Sequence, residues 1–132
     1  MKPIEYNQQV DERAQKILST CHHDGRDQSL WSAHALMPHN PDPKVIVEII
    51  SKSLWRGSDT KADKLLGGPF EILPAMLFLC RWENQLPNEA IVLLKDFMTL
   101  AHLERGNTEN HWLMAYSGIL LATERWPNDE YR

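Results

Sequence analysis

The sequence predicts an all-α protein, and three observations lead to this prediction. Apolar residues recur at helical spacing along most of the chain, and proline and glycine stand at the ends of the periodic segments. No segment alternates apolar and polar residues as a half-buried strand does. β-branched residues cluster only in "KVIVEII", residues 44–50, which continues into a helical pattern. We therefore expect antiparallel helical hairpins and no strands.

The first half of the chain contains three predicted helices. The first covers residues 3–20, where apolar residues recur along one side and charged residues along the other. The second covers residues 29–37 and ends at Pro38, because a proline ring cannot continue a helix. The third covers residues 43–55, with Gly57 as its expected terminus. An exposed loop over 56–69 is expected to follow.

The second half is more apolar and contains three further predicted helices. They span residues 70–85, 87–105 and 109–126. Pro87 and Gly106 bracket the middle helix, as expected from the preference for proline in the first turn and glycine after the last. The connections are very short, which predicts sequential antiparallel packing and a tight hairpin between the last two helices.

The last two predicted helices are apolar on most faces. A helix that is apolar all round is normally covered all round, and a chain of this size has few elements to provide that cover. We therefore expect these apolar faces to be covered in part by a second copy, by a partner chain or by further helices of a larger protein. No residue-by-residue repeat is visible in the sequence, so any similarity between the predicted hairpins is one of architecture alone. Ala115, Gly118 and Ala122 recur at spacings of three and four, which lets another helix approach closely.

Length, charge and hydropathy restrict the class of protein. A single helical domain over residues 1–132 is expected, with a hydrophobic share of 42% sufficient for a core. The 14 Lys and Arg residues against 18 Asp and Glu, with no basic run, argue against a nucleic-acid partner. Apolar runs are too short to cross a bilayer, which argues against a membrane partner. The polar amino terminus lacks a secretion signal, which favours the cytoplasm.

Two cysteines make a disulfide framework improbable. Cys80 lies in the apolar run "MLFLCRW", residues 76–82, which predicts a buried free thiol. Cys21 opens the segment "CHHD", residues 21–24, which contains donors for zinc. Adjacent histidines do not easily face one ion, and no second paired-ligand motif follows, so a polar loop is favoured. Neither a metal nor another cofactor is expected, although metal binding by this segment stays open.

A polar tetrad, Thr108 to His111, opens the last predicted helix. Helix amino termini present unpaired N–H groups and partial positive charge, a suitable place for a carboxylate or phosphate ligand. Simple capping is the alternative, with Asn107 or Thr108 accepting a backbone N–H and Glu109 favouring the helix dipole. Both interpretations stay open. The candidate ligand-binding residues are Glu109, Asn110, His111 and Trp112.

The tetrad and the helix after it, residues 107–127, resemble a segment of (α/α) toroid proteins of the alginate lyase and heparinase-like groups. In those proteins an Asn-His pair opens an inner helix rich in small and apolar residues. The resemblance implies a toroid-like array, Asn110 and His111 neutralising a uronate carboxylate, and an activity of the polysaccharide lyase or glycoside hydrolase type. Tyr116 lies about 600° of helical rotation from Asn110, so it is expected in the core and not as a catalytic tyrosine. No catalytic residue is assigned.

Two function hypotheses result. The first is a carbohydrate-active helical-toroid protein, or part of one, that binds an acidic or polyhydroxylated glycan at the start of the last helix. Glu71, Glu83 and Glu89 are the candidate carboxylates of a glycosidase, and Trp31 and Trp55 the candidate sugar-stacking side chains. The second is a non-catalytic helical interaction or oligomerisation module whose apolar faces are covered by a partner chain or by a second copy.

Overall fold

The structure is a computed structural model that describes residues 30–54 and 66–131, together with the isolated positions 8, 9, 12, 13 and 16. Over these residues the chain forms five helices, which confirms the all-α prediction: α1 (Leu30–Leu36), α2 (Pro43–Leu54), α3 (Pro69–Trp82), α4 (Asn88–Leu100) and α5 (Glu109–Arg125). No helix in this part of the chain is long and apolar enough to cross a membrane. Most of the helix predicted over 3–20 lies outside the described residues, as do the segment 21–24 and Trp55.

The prolines of the first half terminate and start helices where the sequence predicts. After α1 the chain makes a 3₁₀ turn, Met37–His39, which contains Pro38. Pro43 then occupies the first turn of α2, where its missing N–H removes no hydrogen bond. The Asp42 carboxylate caps this start, because its Oδ1 accepts the backbone N–H of Lys44 at 2.9 Å. The connection between α1 and α2 is therefore defined by local chemistry.

Helix α3 is the centre of the molecule, since it packs against α1, α4 and α5. Its first turn is capped by Glu71, whose Oε2 accepts the Gly68 N–H at 3.1 Å. Side chains from more than one side of α3 lie in the core, so the helix is stabilised mainly by tertiary burial and not by intrinsic helix propensity. Its most deeply buried side chains are those of Ile72, Ala75, Met76, Phe78 and Leu79.

Two short strands correct the prediction that the chain contains none. The strand β1 (Leu66–Gly67) comes directly before α3, and β2 (His102–Leu103) precedes α5. They pair in parallel, and the Glu104 N–H donates to the Gly67 carbonyl at 2.7 Å. Strands of two residues are too short to produce an alternating pattern, so the sequence could not indicate them.

The tight hairpin predicted between α4 and α5 is wrong. The helix predicted over 87–105 is present, but it ends five residues earlier than predicted. Helix α4 ends at Leu100, because Ala101 adopts an extended backbone at φ −71° and ψ 143°. Ala101 is fully buried, and the chain continues into β2 beside β1. Tertiary pairing therefore ends the helix before Gly106, the residue that local preference suggested.

Helix α5 packs along α3 and runs in the same direction. Near their starts, the rings of His111 and Phe70 lie 5.1 Å apart. Near their ends, the Arg125 Nε donates to Glu83 Oε1 at 2.8 Å. Parallel packing is required by the strands as well, since each strand leads into its helix from the same side of the molecule. In the middle of the contact, Gly118 meets Ile72.

The described helices form two layers of helix pairs. Helices α1 and α2 form one hairpin and α3 and α4 the next, which confirms the predicted helical hairpins at these two positions. Helix α3 lies between α1 and α5, and α2 packs against α4 with Pro43 and Pro87, at their starts, lining one cavity.

The thiol of Cys80 is exposed, which contradicts the predicted buried cysteine. It lies on the strip of α3 that no other described helix covers, together with Leu77 and Arg81. An apolar run in the sequence indicates that a helix is buried, but it does not say which side of the helix stays in contact with solvent. The pKa of this thiol is raised, mainly because neighbouring side chains partly remove it from water and secondly because Glu83 is negatively charged.

Candidate functional site

The start of α5 is a capped helix terminus. Thr108 has an extended backbone, and its Oγ1 accepts the His111 N–H at 3.2 Å. Glu109 lies in the first turn, where a carboxylate favours the helix dipole. The capping interpretation of the tetrad is therefore confirmed, while ligand binding by the same residues stays a prediction.

The candidate ligand-binding residues do not face one point. Successive helical side chains are about 100° apart, so Asn110 and His111 diverge. His111 turns toward α3 and meets the ring of Phe70 edge to face, at an interplanar angle of 74°. Glu109 and Asn110 are exposed. The resemblance implies that Asn110 and His111 neutralise one uronate carboxylate, and this stays a prediction.

Trp112 is held by the loop that precedes α5. Its Nε1 donates to the Gly106 carbonyl at 3.0 Å, and the Arg105 guanidinium carbon lies 4.6 Å from the ring centroid. Gly106 has a φ of +73°, and a Cβ there would lie 2.8 Å from the His111 Cβ. Only glycine adopts this conformation without strain, so the loop holds Trp112 in a defined orientation.

The outward side of α5 carries three large exposed side chains. Leu113, Tyr116 and Leu120 are 68%, 54% and 60% exposed, and spacings of three and four place them on one side of the helix. We call these three residues the outer seam. Trp112, 37% exposed, borders it. The predicted core position of Tyr116 is wrong, and the described helices leave this side of α5 uncovered.

The opposite side of α5 explains this orientation. Ala115, Gly118 and Ala122 are the buried residues of the helix. An ideal Cβ on Gly118 would lie 2.6 Å from Ile72 Cγ2 and 3.0 Å from two backbone atoms of α3. Close approach of two helices therefore selects the small stripe for burial and leaves the large residues outside. The row of small residues could be recognised in the sequence, and the outer seam lies on the opposite side of the same helix.

A second cluster surrounds His34 between α1 and α3. The Trp82 Nε1 donates to His34 Nδ1 at 3.1 Å, and Phe78 meets the imidazole edge to face at 4.9 Å. Trp31 stacks on it at 5.7 Å, so one ring face of this candidate sugar-stacking residue is occupied. The His34 Nε2 is buried without a hydrogen-bond partner. Burial, followed by the positive charge of Arg81, lowers the pKa of His34, which keeps the ring neutral near neutral pH.

The candidate glycosidase carboxylates have local structural roles. Glu71 caps α3 and Glu83 pairs with Arg125. Twelve residues of helix separate these two carboxylates, a rise of about 18 Å, whereas glycosidase pairs lie within about 10 Å. Glu89 is exposed in the first turn of α4, where it favours the helix dipole.

One cavity of about 360 Å³ opens between the α1–α2 connection and the start of α4, remote from residues 109–112. Its walls combine polar and apolar groups and include three prolines. The Asp42 carboxylate at its edge already accepts the Lys44 N–H. Within the described residues, no group of His, Cys, Asp and Glu side chains is arranged to hold a metal ion. The lining residues are Met37, Asn40, Pro41, Asp42, Pro43, Ile46, Gln85 and Pro87.

No protein-family model, curated protein or solved structure matches this chain.

Proposed function

We propose that this protein is a non-catalytic helical interaction module that binds a helix of another polypeptide across the outer seam of α5. The observation that carries the proposal is the exposure of Leu113, Tyr116 and Leu120 along one side of a helix whose other side is packed on α3. Burying a large apolar side chain stabilises a complex by about 1.5 to 3 kcal/mol. Three such side chains in one row provide the apolar centre of an interface.

The spacing of the seam fits a helix as the bound element. Side chains at intervals of three and four form a row along the axis, and the side chains of a second helix interdigitate with such a row. The row is also preorganised, since Thr108 caps α5 and Gly118 brings it against α3. At the other end, the Tyr131 hydroxyl lies 2.8 Å from the carbonyls of Ala122 and Trp126, and its single proton is shared between these two acceptors. A rigid row loses little conformational entropy on binding.

Photo-crosslinking in the cells that produce the protein tests this function. A benzophenone amino acid in place of Leu113 is expected to give discrete covalent adducts with a second polypeptide. The same group in place of Lys52, an exposed residue of α2, is the matched control and is expected to give none. Adding Tyr116→Asp to the Leu113 probe should abolish the adducts. Failure of the Leu113 probe to give any adduct would overturn the proposal.

The glycan hypothesis is the second candidate, and one observation favours it. Trp112 and Tyr116 are exposed near Glu109 and Asn110, so two aromatic rings, a carboxylate and an amide lie within the first two turns of α5. Aromatic faces and polar side chains of this kind bind sugar rings and hydroxyl groups. The resemblance of residues 107–127 to toroid proteins of the alginate lyase and heparinase-like groups supports the same ligand class.

Calorimetric titration with an alginate-derived oligosaccharide tests the second candidate. Asn110→Ala is expected to weaken binding about tenfold while changing the free energy of unfolding by less than about 0.5 kcal/mol, because Asn110 is exposed. His111→Ala should weaken binding by more than it lowers stability. Asn128→Ala, in the exposed tail, is the matched control. Absence of binding by the unaltered chain excludes this candidate.

A further inference from the structure

We propose that the junction of α1 and α3 is an acid-sensitive switch, in which a proton bound by His34 breaks the hydrogen bond between this side chain and Trp82 and releases α1 from α3. The contact between α3 and α5 persists in the released state. The switch does not depend on the outer seam, since α3 lies between α1 and α5.

The hydrogen bonds of the His34 imidazole favour its neutral form. Its Nδ1 accepts the Trp82 indole N–H at 3.1 Å, so the proton of the neutral ring is on Nε2. The Nε2 atom is buried and has no hydrogen-bond partner. A second proton would be on Nδ1, where it would point at the indole N–H. Neither N–H group of the charged ring would then have an acceptor in the closed junction.

The unpaired Nε2 also affects the junction while His34 is neutral. A buried donor without an acceptor destabilises the state that buries it. Opening of the junction would expose Nε2 to water, which supplies the missing acceptor. The unpaired donor therefore reduces the free energy that holds α1 against α3, and protonation reduces it further.

The aromatic rings around His34 do not reverse this preference. Phe78 meets the imidazole edge to face at 4.9 Å, and Trp31 stacks on it at 5.7 Å. The face of an aromatic ring attracts a cation, so Trp31 would offset part of the cost of protonation. Trp31 is 59% exposed, however, and a cation–π contact with an exposed ring returns less than two buried donors without acceptors cost.

The charges of α1 and α3 oppose protonation as well. Helix α1 carries no charged side chain apart from His34. In α3 the Arg81 guanidinium carbon lies 5.1 Å from the centroid of the Trp82 ring. Burial, followed by the positive charge of Arg81, lowers the pKa of His34. The nearest carboxylate along the chain, that of Glu83, accepts from Arg125 of α5.

Helix α2 and the 3₁₀ turn before it also border α1. The turn carries His39, which is exposed, and the charged residues of α2 are Lys44, Glu48 and Lys52, all exposed. Glu48 and Lys52 form an ion pair with each other. Within the described helices, no carboxylate is therefore placed to offset a positive charge on His34.

The release is expected to be local, because α1 depends on its neighbours. It has only seven residues, too few for a helix that is stable by itself. Helix α3 keeps its contacts with α4 and α5, among them the close approach of Gly118 to Ile72. Since the pKa of His34 is lowered, the junction is closed above pH 6.5 and opens as the pH falls through the pKa of His34 in the folded state.

Nuclear magnetic resonance of the isotope-labelled full chain, titrated from about pH 7.5 to about pH 4.5, tests the switch. The signals of the Trp82 indole N–H and of the amides of residues 30–36 are expected to move together to the positions of an unfolded segment, with one midpoint below pH 6.5. The amide signals of residues 109–125 should keep their folded positions at that midpoint. Loss of both sets at the same midpoint would show global acid unfolding and overturn the proposal. Titration of His34 while residues 30–36 stay folded would show that the closed junction accepts the proton, which overturns it too.

Three variants assign the transition to His34. His34→Gln offers an acceptor to Trp82 and does not titrate, so the transition of residues 30–36 should disappear. His102→Gln, at an exposed histidine of β2, is the matched control and should leave the midpoint unchanged. Arg81→Gln removes the positive charge at an exposed position and should raise the midpoint toward pH 6.5. Persistence of the transition in His34→Gln would overturn the proposal. Because Arg81 is exposed, Arg81→Gln is expected to fold even if His34→Gln does not, and an unchanged midpoint in this variant would overturn the proposal as well.

Discussion

Individual residues of α5 decide which of its sides is buried. Gly118 allows the backbone of α5 to approach that of α3, because a Cβ at this position would meet Ile72 at 2.6 Å. Leu113 and Tyr116 occupy the other side of the helix and stay exposed. Hydrophobicity would favour burying the larger residues. Their exposure therefore reflects the close helix contact, which only small residues permit.

Gly118→Ala is expected to destabilise the protein although alanine is the better helix former. The added methyl group would overlap both a side chain and the backbone of α3, and such overpacking costs about 1 to 3 kcal/mol, against a gain in helix propensity of about 1 kcal/mol. Urea unfolding measures the difference. Ser117→Ala, at the next residue, gains propensity without overlap and should not destabilise. An equal gain in both variants would show that α3 and α5 do not pack this closely.

The imidazole of His34 gives the junction of α1 and α3 a defined pH dependence. Protonation would put a proton on Nδ1, where the Trp82 indole donates, and burial lowers the pKa of His34 below its ordinary value of 6.5. The folded state therefore binds the proton less well than the unfolded state. The neutral His34 imidazole therefore contributes its full share of the stability above pH 6.5, and this contribution is lost as the pH falls through the pKa of His34 in the folded state.

His34→Gln separates this contribution from general acid denaturation, since glutamine offers an acceptor to Trp82 and does not titrate. The unaltered protein is expected to lose more stability than the variant when the pH falls below 6.5, and the difference should be constant above it. Urea unfolding at a series of pH values measures both. Curves that stay parallel throughout would show that His34 is not buried in its neutral form.

At the scale of elements, local chemistry sets where most helices begin. Pro43 and Pro69 occupy first turns, Asp42 and Glu71 accept backbone N–H groups, and Thr108 caps α5. The sequence analysis predicted the roles of Pro43 and Thr108, because these signals act within a few residues. It assigned Pro69 to an exposed loop, whereas Pro69 is buried in the first turn of α3. The end of α4 was not readable, since pairing with a strand about 35 residues earlier determines it.

Thr108→Ala is expected to destabilise the protein by about 1 kcal/mol, the usual value of an N-cap. The His111 N–H would lose the Oγ1 acceptor that lies 3.2 Å away. Thr108→Ser retains the hydroxyl and is the matched control, with no more than a small change. Thermal unfolding distinguishes the two variants. Similar melting temperatures for alanine and serine would mean that water replaces the cap without loss.

At the scale of the whole molecule, helices are stacked side by side in two layers, with α3 between α1 and α5. In such arrays each helix pair stabilises its neighbours, and the end of the array presents the face that a further element would cover. The outer seam lies on the last helix described. Within the described residues, no other helix covers the side of α5 that carries the seam.

Phe78→Ala tests the central role of α3. Phe78 is fully buried and contacts His34 of α1, so its truncation is expected to destabilise the protein by about 3 to 5 kcal/mol. Amide hydrogen exchange should increase in α1, α3 and α5 together. Leu120→Asp, on the exposed seam, should leave exchange of the monomer unchanged. Exchange that increases in α1 alone would show that the layers unfold independently.

The sequence by itself determined the helical class, the breaks at Pro38 and Pro43, the capped start of α5 and the stripe of small residues, because each depends on neighbours within about two turns. Only the tertiary structure decided that α4 ends at Leu100, that α5 runs parallel to α3, and that Tyr116 and Cys80 are exposed. These features depend on contacts between residues far apart in the chain. Helical periodicity predicts that one side of a helix is apolar. Which side is buried depends on the shape of the neighbouring helix, because the two surfaces must fit together closely.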